Sequence, residues 1–120
     1  MKRKNLKILE AEDIVCYDVD NTLVTLKPPD SIYGVSIKSP YDGRIRKYKV
    51  HENHVHLLRA HSSRGMHIRV HSANGYRWAS TVVKALGLGD FVDSIETKPR
   101  TLVDDLPVTE IFPVRIYLNE

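Results

Sequence analysis

Two carboxylates one residue apart, Asp18 and Asp20, follow the apolar, β-favouring run Ile14-Val15-Cys16-Tyr17, and a hydroxyl follows at Thr22. Alternate residues of an extended strand share a face, so both acids can leave the strand end on one side, with Thr22 close behind. Buried carboxylates are costly unless a cation or several donors compensate them. A parallel strand ending in two acids therefore points to a site that handles a cation or an anion, at the edge where open α/β sheets place their ligands. The plainer explanation is a strand followed by an Asx-type turn, in which Asp20 and Asn21 bond nearby backbone. That accounts for the turn but not for the pair. Six histidines, His51, His54, His56, His61, His67 and His71, lack the tight spacing that zinc sites prefer, and no histidine metal site is expected. His71 is kept as a neighbour of the pocket because it precedes Ser72.

The elements that must position these groups follow from patterning. At 120 residues, 42% hydrophobic and 28% charged, the chain fits one compact globular domain over residues 1–120. Ser31 to Ile37 and Arg44 to Val50 alternate about the turn chemistry of Lys38-Ser39-Pro40-Tyr41-Asp42-Gly43, which predicts a β-hairpin over about 31–50. Its second strand carries Arg44, Arg46, Lys47 and Lys49, either a charge-blunted edge or a basic lip for an anionic substrate. A helix is expected over His51–Arg64, a strand over Met66–Ser72, a helix from Tyr76 to Leu86 and a short strand over Phe91–Glu96. Val114–Leu118 reads as a last strand. Strands alternating with helices argue for an α/β domain with a largely parallel sheet. Lys2, Arg3, Lys4 and Lys7 make the N-terminus basic with no apolar core behind them, and the apolar runs are too short to span a bilayer, so neither a secretory signal nor a membrane span is expected. The lone Cys16 suggests a small buried hydrophobe in a reducing cytoplasm.

The run Asp18-Val19-Asp20-Asn21-Thr22 resembles the first motif of the haloacid dehalogenase-like (HAD) phosphohydrolase superfamily. Ser72 at the end of Val70-His71-Ser72 matches the second motif, Lys98 in Thr97-Lys98-Pro99 the third, and Asp104-Asp105 the acidic fourth. Alone, Ser72 is a turn hydroxyl, Lys98 a solvated charge and Asp104-Asp105 a turn cap before Pro107; together they fall in the family's order. The interval from Lys98 to the last acids is shorter than in many relatives and resembles the small, capless members.

What the resemblance implies is a single-domain Rossmannoid fold. Its mainly parallel five-stranded sheet, order 5-4-1-2-3, is flanked by helices, with a hairpin flap after strand 1. It also implies a Mg²⁺-dependent phosphatase working through an aspartyl-phosphate, with a non-catalytic module that binds phosphate and Mg²⁺ as the alternative. By the same resemblance Asp18 is the nucleophile, Asp20 the general acid and base, and Lys98 the charge neutraliser. Ser72, Lys98, Val19, Asn21, Thr22 and Ala73 surround the phosphate, and Asp18, Asp20, Asp104 and Asp105 hold Mg²⁺. The implied substrate is a small phosphorylated metabolite, a nucleotide or a nucleic-acid end, in an open site that a partner subunit could cover.

Overall fold

The computed structural model describes residues 10–120; the basic cluster Lys2, Arg3, Lys4 and Lys7 lies outside them. In chain order the elements are β1 (Ile14–Asp18), β2 (Val24–Leu26), β3 (Val35–Lys38), β4 (Ile45–Val50), α1 (Glu52–Ser63), β5 (His67–Ser72), α2 (Tyr76–Ala85), β6 (Ser94–Thr97) and the single turn α3 (Val108–Ile111). β1, β5 and β6 pair in parallel in that order, with Asp18 opposite His71, and Ser72 opposite Thr97. Three strand ends thus deliver Asp18, Ser72 and Thr97 to one edge.

Alternation decides the faces. Ile68, Val70 and Ser72 point inward from β5, while His67, Arg69 and His71 are only partly covered. α1 and α2 both pack on β5, burying Val55 and Leu58 from one and Trp78, Ala79, Val82 and Val83 from the other. α2 also touches β3 and β6, so it bridges to a second sheet. That sheet is antiparallel, order β2-β4-β3, with Tyr48 opposite both Val35 and Leu26. Ile37, Tyr48 and Val24 turn into the core, and Lys38, Lys47 and Lys49 share the outward face. Among the described residues no helix is long and apolar enough to cross a membrane.

This corrects the single five-stranded Rossmannoid sheet. The described residues build two separate three-stranded sheets, and among them only the 1-2-3 portion of the order 5-4-1-2-3 has a counterpart, as β1-β5-β6. The anticipated hairpin forms, but Val24–Leu26 joins it as a third strand, making an independent sheet rather than a flap alone. Val114–Leu118 forms no strand: the Leu118 N–H goes to His54 Nε2 and the Leu118 carbonyl to His51 Nε2, so histidines replace a neighbouring strand as its partners. Cys16 is exposed rather than buried.

Candidate functional site

β1 ends at Asp18, and the chain then winds tightly about Val19, which is fully buried. The N–H groups of Thr22, Leu23 and Val24 all donate to the Val19 carbonyl, and the Asn21 N–H donates to the Val24 carbonyl. Asn21 sits at φ 62°, the left-handed region that Asn tolerates better than most residues. The Asn21 and Thr22 N–H groups are thereby committed inside the turn.

The turn separates the two acids. Asp18 accepts from the Thr22 hydroxyl at 3.0 Å and lies 3.8 Å from Lys98 Nζ. Asp20 turns toward α2, accepting from Trp78 Nε1 at 3.0 Å and from Asn74 Nδ2 at 2.8 Å. Lys98 reaches its place because its own N–H donates to the Ser72 carbonyl at 2.8 Å, which ties the exit of β6 to the end of β5. Ser72 is buried, and its Oγ accepts from the Asn74 N–H; Ala73 follows it, exposed. His71, opposite Asp18, has its proton affinity pushed down by burial and by neighbouring Lys98, against a smaller upward pull from Asp18 and Glu96.

Beside this polar cluster lies an open cleft of about 240 Å³ lined by Asp20, Ser39, Tyr41, Arg46, Tyr48, Asn74 and Trp78. The Tyr48 and Trp78 rings meet at 5.3 Å and 46°. Tyr41, at the hairpin tip, donates its hydroxyl to the Asn74 carbonyl at 2.7 Å and roofs the cleft. Arg46 is paired with Asp42 through both nitrogens, which holds the Asp42 carboxyl far below the ordinary carboxylate range.

Sequence reasoning therefore found Asp18, Thr22, Ser72 and Lys98, which the fold does bring to one edge. It placed Asp20 beside Asp18, whereas Asp20 serves the cleft. Asn74 and Trp78, which hold Asp20, are not among the residues expected at the site. The signal for Trp78 was available, because a buried indole N–H needs an acceptor and a carboxylate was waiting.

The donors do not fit the Mg²⁺ site. Among the described residues no group of three or more His, Cys, Asp or Glu side chains could hold a metal ion. Asp104 and Asp105 are exposed, and the Asp104 carboxylate takes the Leu106 N–H at 3.0 Å, capping its own turn instead of joining Asp18 and Asp20. Without that cluster and without the five-stranded sheet, the Mg²⁺-dependent phosphatase and its aspartyl-phosphate step do not carry over to this chain, and neither does a Mg²⁺-holding module. The four motifs stand in the sequence, but the capless HAD-like membership they implied is not upheld. Comparison with known proteins finds no matching family model, no matching curated protein and no matching solved structure.

Proposed function

We propose that this chain acts as one domain that binds a ligand carrying both a phosphate and a planar ring, a nucleotide or a nucleic-acid end. The phosphate would lie at the edge where β1, β5 and β6 finish, and the ring in the adjoining cleft. The observation that carries the reading is the junction of the two halves at Asp20 and Asn74. A lysine-bearing strand edge lies on one side of them, and the aromatic cleft of Tyr41, Tyr48 and Trp78 on the other. Aromatic faces stack nucleobases without strict sequence preference, while carboxylate and amide groups read base edges or ribose hydroxyls. Lys98 supplies the cation for the phosphate, with the exposed turn after Ser72 beside it. A single cysteine suits a reducing, cytoplasmic setting.

Trp78 is the sole tryptophan, so its fluorescence reports the cleft directly. Titration with adenosine 5′-monophosphate or a 5′-phosphorylated oligonucleotide is expected to quench it, with ribose 5-phosphate and inorganic phosphate binding more weakly. Lys98→Ala should weaken the nucleotide roughly tenfold, the worth of one charge-assisted hydrogen bond. Asp18→Asn should tighten it, because Asp18 competes with the phosphate for Lys98. Equal affinity for inorganic phosphate and nucleotide, or indifference to Lys98→Ala, would overturn this reading.

A further inference from the structure

Three successive carbonyls of the turn that carries Asp20 and Thr22, those of Asn21, Thr22 and Leu23, are held from outside it. The Asn21 carbonyl accepts from the Tyr117 hydroxyl at 2.7 Å, and the Thr22 carbonyl bonds His54 Nδ1 at 2.7 Å. The Leu23 carbonyl accepts from the His51 N–H at 2.9 Å. Two of these three partners are also joined to the extended segment 117–120, which lies against the start of α1. His51 Nε2 bonds the Leu118 carbonyl at 2.9 Å, the Leu118 N–H donates to His54 Nε2 at 2.8 Å, and Asn53 Nδ2 donates to the Asn119 carbonyl at 2.6 Å. Glu120 is anchored on Lys49 at 2.7 Å.

The partners dictate where the ring protons sit. A backbone N–H only donates, so His54 Nε2 must accept from Leu118; its proton is on Nδ1 and goes to the Thr22 carbonyl. The His54 N–H donates to His51 Nδ1 at 3.2 Å, so the proton of His51 is on Nε2 and goes to the Leu118 carbonyl. The two rings are therefore neutral and of opposite tautomers, stacked at 3.6 Å and 10°, with Tyr117 edge-on to both. Every ring nitrogen is in use. A proton added to either ring would set N–H against N–H, and two protonated rings would repel across the stack. The titratable and charged side chains facing the pair are Tyr117, Lys49 and Glu120.

We propose that His51, His54 and the segment Tyr117–Glu120 form a clamp, closed when both imidazoles are neutral and released by acid, that positions the Val19–Val24 turn. Its effect on ligand affinity rests on the binding reading above; its effect on the turn does not. In this scheme Tyr117 and His54 are positioning residues, acting through backbone carbonyls rather than on the ligand.

The test is amide exchange and histidine ¹⁵N spectra on the full chain between pH 5 and 7.5. The expected result is opposite tautomers for His51 and His54 at pH 7.5. Between pH 7.5 and pH 5, protection at Leu118 and Asn21–Val24 should drop about tenfold or more, while amides of Ile68 and Val70 stay protected. His54→Gln, whose side-chain oxygen can accept from Leu118 without titrating, should keep Leu118 protected at acid pH. Tyr117→Phe should loosen the turn and weaken adenosine 5′-monophosphate about fivefold, as for the loss of one hydrogen bond. Identical tautomers, unchanged protection at pH 5, or loss of protection only together with Ile68 and Val70 would overturn the clamp. A turn that loosens with acid in a chain that binds no nucleotide would uphold the clamp and overturn the binding reading alone.

Discussion

A 2.6 Å hydrogen bond joins the Tyr17 hydroxyl to His61 Nδ1 in the interior. Burial pushes the Tyr17 phenol well above its ordinary range, so it remains the donor, and burial with nearby Arg64 lowers the proton affinity of His61, so the ring remains the acceptor. Tyr17→Phe deletes the donor and leaves a buried ring nitrogen unmet, a loss of about 1–3 kcal/mol readable in urea unfolding. The pH dependence has a definite sign. Folded His61 and His71 both bind a proton less readily than in the unfolded chain. Their contribution is therefore complete above the ordinary histidine value of about 6.5 and is lost as pH falls from there through the lowered folded values. Urea midpoints at pH 7.5 and pH 5 should show that decline, and a higher midpoint at pH 5 would contradict it. At this scale the sequence was legible where chemistry sits at strand ends: Asp18 follows from the strand-end pair, Ser72 and Lys98 only from the family resemblance, and the three lie on one edge. Asp20 was misplaced because period-2 reasoning stops where the strand stops. One turn around the Val19 carbonyl sends its carboxylate to Trp78.

At the scale of elements, two contacts depend on glycine. Gly34, at φ 112°, would bring an added Cβ to 2.7 Å from the Tyr48 carbonyl, so the approach to β3 admits no side chain. Gly75, at φ 100°, opens α2, and a Cβ there would collide with the Tyr41 hydroxyl. Gly75→Ala is therefore expected to push the hairpin tip off the Asn74 carbonyl and weaken any ligand that uses the cleft, while α2 keeps its helical circular dichroism. Unchanged affinity would mean that Tyr41 is not part of the site. Local patterns announced β3, β4, α1, β5 and α2 to within a few residues, because alternation and 3–4 spacing are local properties. The last strand failed because a strand needs a partner as well as a pattern. Val114–Leu118 has the alternation, but the imidazoles of α1 take its Leu118 backbone groups, a long-range choice that no window of sequence displays.

At the scale of the whole molecule, the division into two sheets separates the tasks. The parallel sheet supplies the charged edge, the antiparallel sheet supplies Tyr41, Arg46 and Tyr48, and α2 touches both. Topology was the least legible level, since order 1-2-3 and order 5-4-1-2-3 share the same three strands and differ only in what is added beyond β1.

Parallel pairing also has a consequence in time. β1 meets β5 only after the whole antiparallel sheet and α1 have been threaded between them, with Ile14 opposite His67. Closing such a long loop is slow compared with forming a hairpin or a helix. The hairpin and helices should therefore arise early, and Asp20 should reach the Trp78 indole only in the last, slowest phase. In stopped-flow refolding, far-ultraviolet ellipticity should recover ahead of tryptophan fluorescence; coincident traces would mean that the charged edge and the helices are born together.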